Sequence, residues 1–270
     1  MYLILDVDGT LVNSKKEIST KLVWSLLLMQ MRRHKIILAT GRPTFGVKWI
    51  AEELKLRRYE SYILSFNGAV VSDLAWKETV YQQLFPKEYM PELLQFAQDN
   101  GCGIASYDYN KIVCGTNIDE YITKEQKLNR MRIKTVDDWV KYFRKIPVNK
   151  CLMTAPPEKA EVFVKQLQQQ YNGKLSIYRS EPYFIEIMPL GVDKAASLKK
   201  LFEIKNINPA ETVAVGDGFN DISMLKTACT SCAMANAQPE VKAVADFVTQ
   251  RTNDEDGVCE VIDRYFYSTL

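Results

Sequence analysis

The chain has 270 residues, of which 47% are hydrophobic and 25% charged, with 35 Lys and Arg against 33 Asp and Glu. Such a chain can bury a large core in one or two domains. A formal net charge of +2 gives no electrostatic reason to bind nucleic acid or an anionic membrane, and no apolar run reaches the length of a membrane span.

The first third alternates strand and helix. The opening run "YLILD" (2–6) is a strand, and it is followed by apolar residues at helical spacing over 20–33. A buried strand at 35–39, a helix over 43–54 opened by Pro43 and a strand at 61–66 continue the pattern. The segment 67–85 is expected to form a hairpin that leaves the sheet, turning at Asn67-Gly68. From Phe85 the texture changes. Pro86 and Pro91 flank a helix start, short strands at 148–155 and 174–180 frame a helix over 158–171, and a strand follows at 183–189. This stretch is an inserted α+β module. The alternation then resumes with helix 193–203, strand 212–216, helix 221–228, strand 231–235, helix 239–245, strand 246–249 and a C-terminal helix. The fold class is therefore α/β, a doubly wound and mainly parallel sheet interrupted by a second domain.

Six cysteines without a leading basic and apolar segment are expected to be reduced thiols of a cytoplasmic protein. Cys229 and Cys232 form a C-x-x-C, but no second pair exists to complete a zinc site, so "ACTSCAMA" is expected to be a buried strand. His34, the only histidine, follows Arg32 and Arg33 and is expected to be a charge at a helix end.

Three polar clusters stand at the C-terminal ends of predicted strands: "DVDGT" (6–10), "ATGR" (39–42) and "GDGFND" (216–221). That edge of an open α/β sheet is where ligands bind. Asp6 and Asp8 are two apart in extended chain and can face one site while Val7 enters the core. With Asp217 they make a hard-oxygen site suited to Mg²⁺. Asp221, four residues on, either holds a metal-bound water or caps its helix. The Thr40 hydroxyl, the Gly41 backbone and Lys194 are suited to a phosphate dianion, and Arg42 either meets substrate or pairs with a carboxylate. Asn67-Gly68 is a turn or a ligand contact. A carboxylate beside a metal-bound phosphate suggests covalent catalysis, with Asp6 as nucleophile and Asp8 shuttling the proton.

The four segments "DVDGT", "TGR", the Lys194 helix and "GDGFND" resemble, in order, the motifs of haloacid dehalogenase superfamily phosphatases. "SFNGAVVSD", "MPLGVDKAASL", "AMANAQPEVKAVADFVT" and "NDEDGV" resemble the Cof-type sugar-phosphatase branch. The likeness covers most of 1–82 and 188–260; Val7, where Leu or Phe is common, and the Cys in place of a Gly in "ACTSCAMA" are departures in packing only. The resemblance implies a Rossmann-like core at 1–83 and 188–270 and a type IIB cap at 84–187, a lid that chooses the substrate. It implies Asp6 as nucleophile and Asp8 as acid and base, with Asp6, Asp217 and the Asp8 carbonyl on Mg²⁺. Thr40 and Lys194 would hold the phosphoryl group, and Asn220 would reach phosphate or substrate. In the cap, Tyr107, Lys150 and Tyr183 are candidate substrate contacts, and Gly191 a candidate hinge. The function expected is hydrolysis of small phosphorylated metabolites, with a phosphomutase or a non-catalytic phosphate sensor as alternatives.

Overall fold

The computed structural model describes residues 1–75 and 77–267. Its chain divides into two compact units, one formed by Met1–Tyr81 with the chain from Asp193 on, the other by Gln82–Val192.

The first unit begins with β1 (Tyr2–Leu5), α1 (Thr20–Met31), β2 (Lys35–Ala39), α2 (Lys48–Glu53), β3 (Tyr62–Ser65), β4 (Val70–Asp73) and β5 (Glu78–Gln82). The strands form because they are apolar on both faces: Leu3, Ile4, Leu5, Ile36, Ile37 and Leu38 are all fully buried, as a parallel sheet covered by helices requires. Ser19 starts α1 by accepting the N–H of Leu22. The expected helix over 43–54 begins instead as a 3₁₀ turn at Thr44–Val47, with Gly46 in its middle, a residue that weakens an α-helix.

The expected hairpin does not leave the sheet. β4 pairs antiparallel with β3, and β5 lies beside it, because Val70, Val71 and Asp73 find burial along that edge. Lys205 secures the pair, reaching Asp73 at 2.7 Å and Glu78 at 3.1 Å.

The second unit contains α3 (Met90–Asp99), β6 (Gly103–Asp108), β7 (Lys111–Cys114), α4 (Glu120–Asn129), β8 (Arg132–Thr135), α5 (Trp139–Tyr142), β9 (Cys151–Thr154), α6 (Pro157–Gln170), β10 (Leu175–Glu181) and β11 (Phe184–Pro189). Its sheet runs β10-β11-β9-β6-β7-β8, antiparallel except between β7 and β8. Leu93 and Leu167 from the helices join Ile104, Met153 and Ile185 in one core. Tyr107 and Lys150 are buried within this unit: the Tyr107 hydroxyl donates to Glu125 at 2.6 Å, and Lys150 pairs with Glu186 at 2.8 Å. Tyr183 stacks on Tyr121.

The chain then completes the first unit with α7 (Lys194–Lys205), β12 (Thr212–Gly216), α8 (Ile222–Leu225), β13 (Thr230–Ala233), α9 (Pro239–Lys242), β14 (Phe247–Val248) and α10 (Gly257–Ile262). The strand order is β14-β13-β12-β1-β2-β3-β4-β5. Successive strands after β1 build to one side and those from β12 to the other, so the order reverses between β1 and β12. α8 is shorter than the expected 221–228 because the chain enters it through a 3₁₀ turn over Phe219–Asp221.

Two expectations need correction. Cys232 is buried in β13, but Cys229 lies ahead of the strand and is exposed. All six cysteines are free thiols. His34 does not end a helix: α1 stops at Met31, and the ring, whose pKa is lowered by burial and by nearby positive charge including Arg32, sits edge-on to Phe266 at 5.1 Å. Among the described residues, no helix is long and apolar enough to cross a membrane.

Candidate active site

The reversal of strand order between β1 and β12 leaves a crevice at their carboxyl ends, the usual place for a ligand in such a sheet. The residues that follow these two strands are Asp6 and Asp217. The N–H of Asp6 still bonds the Val215 carbonyl at 3.0 Å, so the carboxylate leaves the sheet at a position fixed by the ladder. Val7 turns into the core and is fully buried. Leu11 and Val12 both donate to the Val7 carbonyl, closing a turn through Gly9, whose φ is +83°. A side chain at Gly9 would place its Cβ 2.2 Å from Asp217 Oδ2. Only glycine permits both the left-handed backbone and this approach.

Lys194, the first residue of α7, is the centre of the site. Asp193 caps the helix by accepting the Ala196 N–H at 2.6 Å, which presents Lys194 inward. Its buried ammonium donates to Asp6 Oδ1 and Asp221 Oδ1, each at 2.6 Å. Burial opposes the charge, but Asp221 and Asp6 outweigh it and raise the lysine pKa. Asp221 uses its other oxygen to accept the N–H groups of Asp217 and Gly218, at 3.0 and 2.9 Å. Of the two roles open to it from sequence, it takes the cap, and holds Lys194 as well.

Carboxylate oxygens of Asp6, Asp217 and Asp221 lie within 4.8 Å of one another. Burial first, then the Asp221 charge, pushes Asp6 well above the ordinary carboxylate range. Asp217 is pushed up to about 6, chiefly by burial and further by Asp221, even though Thr10 donates to its Oδ1 at 2.8 Å. One ammonium faces three carboxylates, and the remaining negative charge is what a hard cation would neutralise.

Asp8 stands apart from this cluster. Its carboxylate takes a bidentate pair from Arg42, Nε to Oδ2 and Nη2 to Oδ1, both at 2.7 Å, and a third bond from Lys16 at 2.7 Å. Burial works against its charge, but Arg42 and Lys16 prevail and hold its pKa at about 2. Arg42 is thus a carboxylate partner here.

Thr40 follows β2 and is buried; its hydroxyl accepts the Arg42 N–H at 3.1 Å. A Cβ on Gly41 would lie 3.2 Å from Asn67 Oδ1, and the same oxygen accepts from Asn220 Nδ2 at 3.2 Å. Asn67, with φ of 52°, is a turn residue whose backbone N–H donates to the Thr40 carbonyl at 2.8 Å and whose side chain lies beside Gly41 while accepting from Asn220.

The chain matches the sequence profile of the haloacid dehalogenase-like hydrolases over residues 3–262. The chain belongs to this family. A crystal structure of a haloacid dehalogenase-like hydrolase from Bacteroides thetaiotaomicron is similar with a TM-score of 0.92 and 42% identity, covering 97% of this chain and 98% of that one. A structure described as a HAD subclass IIB sugar phosphatase has a TM-score of 0.80 and 26% identity, covering 98% of each chain. The 5-amino-6-(5-phospho-D-ribitylamino)uracil phosphatase YcsE of Bacillus subtilis strain 168 is 29% identical over 259 residues, covering 96% of this chain and 92% of its own. The family match and these relatives make the chain a phosphatase.

The bonds of Thr10 to Asp217 and of Lys16 to Asp8 are not foreshadowed by the sequence, which also leaves Asn67 open between a turn and a ligand contact. Thr10 closes the "DVDGT" segment, and nothing in the local sequence ties it to Asp217, 207 positions away. The signal for Asn67 was its place just after a central strand.

Proposed function

We propose that this phosphatase is Mg²⁺-dependent, carries the phosphoryl group on Asp6, and hydrolyses small phosphomonoesters such as sugar phosphates. One observation supports this above the rest: Lys194 engages only Oδ1 of the buried Asp6, which leaves Oδ2 to attack phosphorus beside Asp217. The donor set suits the cation. Both oxygens of Asp221 are taken by Lys194 and backbone N–H groups, so Asp6 and Asp217, with the Asp8 carbonyl, are the groups to hold it. When bound, Mg²⁺ would neutralise these carboxylates together with the phosphate dianion and polarise its oxygens.

Asp6 Oδ2 forms a bond to phosphorus as the bond from phosphorus to the ester oxygen breaks. The ester oxygen keeps that electron pair and takes a proton from Asp8, leaving as the alcohol; Asp8 can carry that proton only once substrate displaces part of the Arg42 and Lys16 pairing that otherwise keeps it ionised. Asp8 then takes a proton from water, whose oxygen attacks phosphorus and expels Asp6 as a carboxylate, releasing inorganic phosphate. The Thr40 hydroxyl, the Gly41 N–H and Lys194 are the donors for the phosphoryl oxygens, and Asn220, oriented by Asn67, reaches phosphate or substrate. Relatives named for a sugar phosphatase and for a phosphorylated ribitylamino uracil support small esters as substrates.

The test is hydrolysis of an aryl phosphate with and without Mg²⁺, by wild type and Asp6→Asn. Metal-dependent turnover that falls by roughly 1,000-fold or more in the variant is expected. Undiminished turnover by Asp6→Asn would contradict the nucleophile, and full activity in chelator would contradict the metal.

A further inference from the structure

Two segments of the first unit, "AMANAQPEV" (233–241) and "NDEDGV" (253–258), take no part in the chemistry described so far. Both reach the turn that follows β1. Asn236 donates from Nδ2 to the Gly9 carbonyl at 2.8 Å, and its Oδ1 accepts the Asn253 N–H at 3.0 Å. Asn253 in turn donates from Nδ2 to the Val12 carbonyl at 2.9 Å. Each partner is a backbone group that can only donate or only accept, so the orientation of both amides is settled. The turn from Gly9 to Val12 is thereby held at both ends.

The loop that carries Asn236 is itself tied to the other half of the site. The Met234 N–H donates to the Gly216 carbonyl at 3.1 Å, and the Gln238 N–H to the Asp217 carbonyl at 3.2 Å. Met234 and Ala237 are buried, whereas Asn236 between them is exposed. An exposed side chain fills no core, so this pair of bonds is what fixes it. One short loop thus spans two turns: its backbone holds Asp217, and its Asn236 side chain holds Gly9.

Gly9 is where that grip matters. It joins the Asp8 carbonyl to Thr10, whose hydroxyl donates to Asp217 Oδ1 at 2.8 Å. With a φ of +83° and no side chain, it is the joint of the turn with the widest conformational freedom. A bond to its carbonyl takes that freedom away. We infer that Asn236 is a positioning residue for the cation site: by fixing the Gly9 peptide it holds the Asp8 carbonyl and, through Thr10, Asp217 in place for Mg²⁺. This rests on the reading that Asp6, Asp217 and the Asp8 carbonyl are the groups that hold the ion. Mg²⁺ demands near-ideal geometry, and removing a group that orients a metal ligand weakens binding by roughly 10- to 100-fold.

The test is a calorimetric Mg²⁺ titration of the substrate-free protein, with thermal melts in chelator alongside, for wild type, Asn236→Ala and Asn236→Asp. Asn236→Ala is expected to raise the Kd for Mg²⁺ about tenfold, while its melt in chelator stays within about 4 °C of wild type. Asn236→Asp separates position from charge. Its carboxylate keeps an acceptor for the Asn253 N–H but cannot donate to Gly9. Electrostatics alone would make the added negative charge tighten a nearby cation, whereas loss of position raises the Kd here too. An unchanged Kd in Asn236→Ala, or an unchanged or lower one in Asn236→Asp, would overturn the assignment. So would a melt in chelator lowered by about 10 °C or more, which marks a merely structural role. If the wild type itself binds no Mg²⁺, the metal reading falls, and this inference with it.

Discussion

Lys194 has no exposure at its side chain and touches Asp6 and Asp221 at once. A buried ion group of this kind is unforgiving of the loss of one member, because the remaining charges stay in a medium that solvates them poorly. Lys194→Met is therefore expected to lose about 3–5 kcal/mol of stability at pH 7 in metal-free buffer. Its pH dependence has a definite sign. Asp6 already sits well above the ordinary carboxylate range, through burial and the Asp221 charge, and removing the ammonium raises it further. The folded state then holds a proton that the unfolded chain has released, so stability falls as pH rises through that window. Urea unfolding at pH 5 and pH 7 checks this: the deficit of the variant should be smaller at pH 5, and a deficit independent of pH would contradict it. The placing of Asp6, Asp217 and Lys194 at one edge of the sheet was legible in the sequence because the two aspartates follow strands and Lys194 opens a helix there. The bond from Lys16 to Asp8 was not, because a half-exposed lysine in a polar loop carries no pattern.

Among the elements, the turn that follows β1 is tightly constrained. Gly9 combines a φ of +83° with a hypothetical Cβ only 2.2 Å from Asp217 Oδ2. Gly9→Ala is expected to lower stability by about 1–3 kcal/mol from the backbone alone. It should also weaken Mg²⁺ activation, since Asp217 must move. A thermal melt and a Mg²⁺ titration of aryl phosphate hydrolysis check both, and wild-type behaviour in each would contradict the packing described. The strands of the first unit were readable because both faces of the sheet are apolar. The helix near 222 starts later than expected because Asp221 accepts backbone N–H groups and tightens its entry into a 3₁₀ turn, which periodicity does not reveal; the helix at 239 starts as expected and stops at Lys242. In the second unit, β6, β7 and β8 were not read from the sequence. β7 and β8 are four residues each, too short to show the alternation that marks a strand, and β6 is buried on both faces.

At the scale of the whole molecule, the reversal of strand order between β1 and β12 joins fold to function. It makes neighbours of Asp6 and Asp217, which are far apart in sequence, and the start of α7 sets Lys194 against Asp6 and Asp221. The doubly wound class followed from the order of strands and helices. The edge position of β4 and β5 did not, because a hairpin after a strand can equally extend a sheet or leave it. The central claim is that the phosphoryl group passes through Asp6. Its most direct test is rapid acid quenching during turnover of an aryl phosphate with Mg²⁺, followed by mass analysis of the N-terminal peptide. The account predicts a phosphoryl group on Asp6 in the wild type and none in Asp6→Asn. Steady turnover of the wild type with Asp6 unmodified at every quench time, or a phosphoryl group on another residue, would contradict it.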